Sequence, residues 1–456
     1  MSKVAKFGGS SLANSIQFRK VKSIVDADPA RRYVVVSACG KESPEDHKVT
    51  DLLYLCEAHI RYGVPYDDIF TLIESKYLQI RDDLGLSLDL EPEFDGIREA
   101  MDRGADTDYV VSRGEYLAAK LMAEYLGAAF LDAKDVIFFN YDGSFDLEKT
   151  GAALRAGTGH GAGAGNKAPA DTWTGAGADR FVIPGFYGSM PDGTIRVMPR
   201  GGSDITGALV ANGTDAEVYE NWTDVSGFLV ADPRIVKDPI SIPRINYSEL
   251  RLMSYMGADV LHDDAIFPVK EKNIPINIKN TNDPDAPGTL ILDDCSEQDR
   301  DDPPHLVTGI SGRRHFTAFT LTKSHSSAEV GFLRRLLAVF EDYRVSVEGV
   351  SVTVDTFTVI VRSDAVANCQ YEIMGRFSEE FRPEELKVED HLSLIAVVGR
   401  GMKAVPGSSG QFLSEFGRNH INIRVISQCA DELSVVVGVD DRDFERAINC
   451  IYGKFI

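Results

Sequence analysis

Lys6 is followed almost at once by two glycines and two serines, in the order Lys6-Phe7-Gly8-Gly9-Ser10-Ser11. Glycines leave backbone N–H groups unshielded and a lysine adds a full positive charge, so this bend could hold phosphate oxygens. Ser10 can open a helix whose positive end favours the same kind of ligand. The glycine spacing is not that of the Walker loop. The alternative is a strand that ends in an ordinary Gly-Gly turn beside a surface lysine.

A second Gly-Gly-Ser bend has a guanidinium before it and a carboxylate after it, in the order Pro199-Arg200-Gly201-Gly202-Ser203-Asp204. Arg200 offers a planar fork suited to a carboxylate or a phosphate. Asp204 stands at the predicted start of a helix, where the alternative is an N-cap or an ordinary acid of the first turn. Together the two bends predict that Lys6 and Asp204 converge on one ligand.

Two further groups of polar residues could contact ligands. The run Ser112-Arg113-Gly114-Glu115 places a carboxylate at a predicted helix start, facing a cationic group of the ligand, although Ser-x-x-Glu is also an ordinary capping box. Thr223, Asp224 and Arg234 follow a predicted strand at 216–219, where the alternative is two plain turns.

The elements that must position these residues alternate along the first two-thirds of the chain. Short apolar runs predict buried strands at 33–36, 136–139, 181–183 and 274–278, and helical patterns lie between them, for example at 117–126. This alternation predicts an α/β fold with a mostly parallel sheet between helices. A Gly- and Ala-rich stretch at 151–177 predicts a flexible surface insertion.

The last third of the chain follows an acidic, proline-ending stretch at 296–304 and consists of two short units with the same order of elements. Each predicts a ferredoxin-like βαββαβ module, which is more typical of regulation or dimerisation than of catalysis. The predicted domains are therefore a catalytic domain at 1–298 and two modules at 306–384 and 385–456.

Composition narrows the function classes. The 456 residues carry a net charge of −22, which argues against nucleic acid or an anionic membrane as a partner. No apolar run has the length of a membrane span, and the N-terminus lacks the order of a signal peptide. The six cysteines have no metal-ligand spacing and predict reduced thiols in a cytoplasmic protein.

Taken in order, these motifs resemble the aspartate kinases of the amino-acid kinase family, and the paired modules resemble their tandem ACT domains. The resemblance covers nearly the whole chain and rests on seven motifs in register, at 6–11, 36–38, 49–53, 112–115, 200–204, 222–227 and 232–234. It implies transfer of phosphate from ATP, with Mg²⁺, to the β-carboxylate of L-aspartate, giving 4-phospho-L-aspartate in lysine, threonine and methionine biosynthesis.

The resemblance also implies a role for each motif residue. Lys6, Gly8, Gly9 and Ser10 would hold the ATP phosphates, with Thr223, Asp224 and Arg234 along the nucleotide. Asp204 would organise Lys6 and the metal-bound phosphates, and no residue is assigned as a direct metal ligand. The aspartate pocket would contain Ser37, Thr50 and Ser203, with Glu115 near the α-amino group and Arg200 pairing the α-carboxylate.

The chain departs from the family pattern at three places. Asp259 stands where members commonly have a nucleotide-side lysine, Leu229 stands where many have a tyrosine, and the Gly- and Ala-rich stretch is atypical. Two alternatives therefore stay open: another amino-acid kinase, or a non-catalytic amino-acid sensor that has lost ATP binding. None of these departures touches the predicted phosphate-transfer centre.

In the tail, the resemblance places an amino-acid effector at the edge of the first ACT module, against Ser324, His325, Val347 and Glu348. Lysine is the effector most often bound there, while threonine, or both together, remain open. Glu348 would suit a cationic amine, and a solvent-exposed strand end is the alternative. A homodimer formed through the ACT strands is expected, with further association open.

Overall fold

The structure is a computed structural model that describes residues 2–157, 179–199, 201–257, 266–295 and 305–456. Arg200, Asp259, the stretch at 296–304 and residues 158–177 of the Gly- and Ala-rich stretch lie outside the described residues. The described residues fall into two compact units. The first draws on Met1–Phe228, Ser241–Tyr247 and Val260–Cys295, and the second on Leu229–Ile240, Ser248–Asp259 and Ser296–Ile456.

The first unit contains a mostly parallel sheet. Its strands, with a separate two-stranded ribbon of β5 and β6, are β1 Lys3–Phe7, β2 Arg31–Val36, β3 Ala129–Phe130, β4 Phe181–Pro184, β5 Tyr187–Ser189, β6 Ile195–Val197, β7 Val218–Thr223, β8 Arg244–Asn246, β9 Ile276–Asn280 and β10 Thr289–Leu292. The order in the sheet is β3-β4-β2-β1-β7-β9-β10-β8, and only β9 and β10 pair antiparallel. The predicted fold class is confirmed.

Buried apolar runs make the central strands, since β1 and β2 are each covered on both faces as parallel strands require. Helices surround them: α1 Ser15–Ala27, α2 Val49–Arg61, α3 Asp67–Leu84, α4 Glu91–Asp102, α5 Thr107–Leu126, α6 Ala133–Val136, α7 Leu147–Gly157, α8 Gly202–Gly213 and α10 Phe267–Glu271. Helix α9, Tyr247–Tyr255, belongs to the second unit from Ser248 onward. One core cluster of this unit includes Phe18, Phe70, Tyr77, Leu121 and Trp222.

Three local predictions were wrong. The run 136–139 is not a sheet strand, because Asp132 caps the short helix α6 and Phe138 and Phe139 form only isolated bridges. Helix α5 begins at Thr107 rather than at Ser112, with Asp106 as its cap. The stretch predicted as a flexible insertion begins inside helix α7.

The second unit contains one antiparallel sheet covered by helices. Its strands are β11 Gly309–Thr322, β12 Val347–Val352, β13 Thr356–Arg362, β14 Glu385–Val398, β15 Val425–Gln428 and β16 Ser434–Asp440, in the order β12-β13-β11-β14-β16-β15. Its helices are α11 Phe332–Asp342, α12 Ser363–Val366, α13 Gln370–Phe381, α14 Ser408–Arg418 and α15 Phe444–Phe455.

The long strands β11 and β14 each serve both βαββαβ modules. The later part of β11 pairs with β13, whereas its first residues, 309–313, pair with 394–398 of β14. His315 and His391 have left-handed backbone angles (φ 69° and 64°) where the two strands change module. The first module is thus inserted after the first strand of the second, and the boundaries 306–384 and 385–456 stay predictions.

Candidate active site

The predicted phosphate-binding lysine lies at the edge of the first unit's sheet where parallel strands end. Lys6 is the penultimate residue of β1 and pairs in register with Asn221 of β7. Ser37 follows β2 and Gly185 follows β4. In open parallel sheets, ligands bind outside the carboxyl ends of the strands, and all of these residues gather at that edge.

Lys6 and Asp204, 198 positions apart in sequence, are in direct contact. The Lys6 ammonium lies 2.5 Å from Asp204 Oδ1 and 3.3 Å from Asn221 Oδ1, and Asn221 Nδ2 donates to Asp204 Oδ1 at 2.9 Å. Lys6 is only 7% exposed, so the surface-lysine alternative was wrong. The N-cap of α8 is Gly201, so Asp204 is not the cap but an acid of the first turn, and its contact with Lys6 is made from there.

The first Gly-Gly bend is backed by a second backbone segment. The Gly8 N–H donates to the Trp222 carbonyl at 3.0 Å, and the Gly40 N–H donates to the Gly9 carbonyl at 2.9 Å. A Cβ on Gly40 would lie 2.6 Å from the Gly9 carbonyl carbon, so the two backbones touch. Ser10 is exposed beside them.

Glu115 lies inside helix α5 and is 4% exposed, which excludes the capping-box alternative. Burial raises its pKa to about 8, although backbone hydrogen bonds at Ala38 and at Glu115 itself oppose the shift. Its Oε2 atom has no hydrogen-bond partner. A buried carboxyl oxygen without a partner is costly for the fold, which favours a ligand donor at this position.

The contacts of helix α5 bring Glu115 close to two other predicted aspartate-site residues. A Cβ on the preceding Gly114 would lie 2.9 Å from Ala38 Cβ and 3.2 Å from Val49 Cγ1. Ser37 and Thr50 are the neighbours of those two residues in sequence, and both are half-buried. The backbone segments that carry Ser37, Thr50 and Glu115 are therefore packed against one another.

Ser203, in the first turn of α8, is buried against the end of β4. A Cβ on Gly185 would lie 2.7 Å from both Cβ and Oγ of Ser203. We expect Gly185→Ala to push Ser203 away, to raise the KM for aspartate and to cost about 1–3 kcal/mol of stability. Steady-state kinetics and thermal melts measure both effects.

The matched control is Gly96→Ala, since Gly96 lies in α4 and no heavy atom outside its own neighbourhood approaches its Cβ position within 4 Å. Alanine there is expected to keep wild-type kinetics and to stabilise the helix slightly. A wild-type KM for aspartate in Gly185→Ala would contradict the tight contact.

The remaining predicted site residues have separate surroundings. Thr223 ends β7, and its hydroxyl donates to Asp224 Oδ1 at 3.0 Å. Arg234 belongs to the second unit, where its guanidinium pairs with Asp232 at 2.6 Å. Arg200 lies outside the described residues, so its predicted place beside Ser203 stays a prediction.

The predicted effector residues lie in the second unit. Ser324 and His325 are exposed, and His325 precedes the short 3₁₀ helix Ser326–Ala328. Val347 and Glu348 open β12, and the Glu348 carboxylate accepts a hydrogen bond from the Tyr255 hydroxyl. Glu348 is therefore half-buried and engaged, not a free strand end.

Sequence reasoning missed Asn221, Gly40 and Gly185. Asn221 lies opposite Lys6 on the neighbouring strand, and only the parallel register of β1 and β7 reveals that.

In the described part of the chain, no group of three or more His, Cys, Asp or Glu side chains is arranged to hold a metal ion. Nor does any described helix have the length and apolar character needed to cross a membrane.

Comparison with known proteins follows the same division of the chain. The model of the amino acid kinase family matches residues 1–280, and an ACT domain model matches residues 395–455. Aspartokinase 3 of Bacillus subtilis (strain 168) is 33% identical over 468 residues, which cover 99% of this chain and 98% of the relative. The chain belongs to the aspartokinases. The predicted function, aspartate kinase, is confirmed at the level of this family.

Solved aspartokinases share the fold. The aspartate kinase of Clostridium acetobutylicum is 41% identical, with a TM-score of 0.89, and the match covers 100% of this chain and 99% of that one. E. coli aspartokinase III, solved in complex with aspartate and ADP, is 23% identical with a TM-score of 0.70 and is covered to 99% in both chains. At that identity the second likeness concerns the fold alone.

Proposed function

We propose that this aspartokinase transfers the γ-phosphate of ATP to the β-carboxylate of L-aspartate at the strand-end edge that holds Lys6. The single observation that carries this proposal is the contact of Lys6 with Asp204 beside the Gly8-Gly9 bend. A nearly buried ammonium at such an edge meets the charge of a triphosphate in surroundings where water screens it little.

The residues present suit a carboxylate nucleophile. A β-carboxyl group, with an ordinary pKa of about 3.9, is already ionised at neutral pH and needs no general base. Its oxygen forms a bond to the γ-phosphorus while the bond from that phosphorus to the bridging oxygen of ADP breaks. The barrier comes from charge repulsion and alignment, and Lys6 with the backbone amide of Gly9 would reduce both. The Gly8 N–H, predicted for the same role, is instead bonded to the Trp222 carbonyl and would fix the shape of the bend.

The aspartate would lie against helix α5 and the start of α8. Glu115 would accept a hydrogen bond from the substrate ammonium through its unpartnered Oε2, and Ser37, Thr50 and Ser203 would donate hydroxyl hydrogen bonds. Arg200 would pair the α-carboxylate. The support is the burial of Glu115 and its closeness to the segments that carry Ser37 and Thr50.

Mg²⁺ fits the chemistry of this edge, because Asp204 and Asp224 are carboxylates and Mg²⁺ prefers carboxylate and phosphate oxygens. When bound with ATP, the ion would neutralise charge on the β- and γ-phosphate oxygens. Asp204 also keeps the Lys6 ammonium in place through the 2.5 Å contact. Thr223 would lie along the nucleotide.

The second unit would regulate this activity. An amino acid, lysine or threonine or both, would bind at Ser324, His325, Val347 and Glu348, and copies would associate as a homodimer through strands such as β12. The support is that β12 is an edge strand of the sheet, since exposed edges of such modules tend to pair. The net charge of −22 favours small-molecule partners over nucleic acid or membrane. The enzyme would be cytoplasmic.

The activity can be tested by trapping the acyl phosphate. With MgATP, L-aspartate and hydroxylamine, the protein is expected to form aspartyl hydroxamate, because the mixed anhydride acylates hydroxylamine. Glutamate in place of aspartate tests the alternative of another amino-acid kinase. Calorimetry with a non-hydrolysable ATP analogue tests the alternative of a sensor, which would bind an amino acid but no nucleotide. Wild-type protein without hydroxamate above the Lys6→Met background would overturn the proposal.

A further inference from the structure

The backbone segment 40–48 joins two parts of the proposed active site. At one end Gly40 lies against Gly9 of the phosphate-binding bend, and at the other end the chain enters α2 at Val49 and Thr50. We propose that Lys76 of helix α3 is a positioning residue that closes this segment and so sets both the phosphate-binding bend and Thr50. The inference rests on the proposed function of that site.

Lys76 makes two short contacts, both within the segment. Its ammonium donates to the Gly40 carbonyl at 2.6 Å and to Asp46 Oδ2 at 2.7 Å. The Lys76 side chain is 14% exposed and that of Asp46 is 31% exposed. Lys76 therefore binds the start of the segment and a residue near its end with a single charged group.

Asp46 also accepts hydrogen bonds from two backbone N–H groups of the segment. Its Oδ2 accepts from the Glu42 N–H at 2.8 Å, and its Oδ1 accepts from the His47 N–H at 2.7 Å. Burial opposes ionisation of Asp46, but the hydrogen bonds from Lys76 and from these two backbone groups outweigh it and lower the pKa. The carboxylate is thus held in its charged form, as the contact with Lys76 requires.

A displacement of Gly40 cannot stay local. The Gly40 N–H is bound to the Gly9 carbonyl at 2.9 Å, and the two backbones are too close for even one added methyl group. On the other side, the Cys39 carbonyl accepts from the Val49 N–H at 3.2 Å. Because packed interiors transmit such shifts, loosening Lys76 must move Gly9 on one side and the start of α2 on the other.

The expected size of the effect separates positioning from stability. A partly exposed ion pair of this kind contributes little to the stability of the fold. A misplacement of catalytic groups by about 1 Å can lower the rate by about 10²-fold. Lys76 contacts the backbone that carries the site, so its loss should affect kinetics far more than folding.

The test compares Lys76→Met with wild type in the hydroxamate assay. We expect kcat/KM to fall by about 10- to 100-fold, with a lower kcat and a higher KM for ATP, while the melting temperature changes little. Lys76→Arg, which can still reach a carbonyl and a carboxylate, is expected to recover most of this loss. Asp46→Asn should lower activity in the same way, and combining it with Lys76→Met should add little, because both changes release one segment.

Lys120→Met is the matched control. Lys120 is a partly buried lysine of the same unit that pairs with Glu93, and neither residue touches the segment or the bend. It should lose a similar ion pair yet keep wild-type kinetics. Hydrogen exchange of peptides spanning 6–11 and 37–50 supplies a readout independent of turnover, and it should become faster in Lys76→Met only.

Two results keep the proposals apart. If wild-type protein forms hydroxamate and Lys76→Met matches it in kcat, in KM and in exchange of both peptides, the role of Lys76 is refuted. If wild-type protein forms no hydroxamate, the proposed function fails, and the exchange experiment alone still decides whether Lys76 holds the bend. Should Lys76→Met fail to fold, Asp46→Asn and Lys76→Arg carry the same comparison.

Discussion

Lys6→Met is expected to lower kcat by about 10²- to 10³-fold, the usual loss when one group that stabilises charge in the transition state is removed. The 2.5 Å contact also implies a second penalty, because Asp204 would then present an uncompensated negative charge to the triphosphate. The measurement is the initial rate of hydroxamate formation at saturating ATP and aspartate. The KM for ATP should rise as well.

Lys3→Met is the matched control for this prediction. Lys3 lies at the other end of the same strand and pairs with Asp28 at 2.9 Å. Its replacement removes a lysine and an ion pair from β1 without touching the strand-end edge, so kinetics should stay at the wild-type level. A kcat for Lys6→Met within a few-fold of that for Lys3→Met would rule out the central role given to Lys6.

Glu115→Gln is expected to weaken aspartate binding and to remove its pH dependence. Burial raises the pKa of Glu115 to about 8, so at pH 7 the group is mostly neutral. Only the ionised form pairs well with the substrate ammonium, so wild-type affinity should rise with pH and level off above about pH 8. A charged hydrogen bond contributes about 1.5–3 kcal/mol, so above pH 8 the variant should bind about 10- to 100-fold more weakly.

The same substitution should have the opposite effect on the stability of the ligand-free protein. Because the folded pKa of Glu115 lies above its unfolded value, the native state holds the proton more tightly, and its stability falls as pH rises from about 4.5 towards 8. Glutamine carries no such penalty. Glu115→Gln should therefore melt at a higher temperature than wild type at pH 8 and at nearly the same temperature at pH 4.

Calorimetric titration with aspartate between pH 6 and 9, beside melts of both proteins across the same range and at pH 4, measures the two effects together. Equal pH dependence of binding in wild type and variant would contradict the pairing of Glu115 with the substrate amine. A variant no more stable than wild type at pH 8 would contradict the burial of an unsatisfied carboxyl group.

Each charged Gly-Gly-Ser bend alone has an ordinary structural alternative, and the contact of Lys6 with Asp204 could be predicted from sequence because both bends stand in register with five further motifs of the family. The mid-helix position of Glu115 could not. Ser112 and Glu115 have the spacing of a cap, and only the tertiary packing of α5 shows that the helix begins earlier, at Thr107. Likewise the apolar run at 136–139 has the composition of a strand, but Asp132 caps a short helix that ends at Val136, the first residue of the run.

The residues that hold the site residues in position were the hardest part to predict. Asn221, Gly40 and Lys76 take their places from strand register and from contacts between residues far apart in sequence, and no local pattern marks them. The two modules of the tail were recognisable by their repeated order of elements. The insertion of the first module after the first strand of the second was not recognisable, because a repeat in sequence does not tell which copy of a strand pairs with which.

Because the first module is inserted into the second, the second unit cannot be divided into its two modules at any single peptide bond. A fragment that stopped at residue 384 would retain 309–313 while losing 394–398, with which those residues pair, and would expose a bare strand edge. A fragment that started at 385 would lack an entire strand of its own sheet. Gene fusions and truncations of this protein must therefore keep the two modules together, and limited proteolysis between them should not release either one folded.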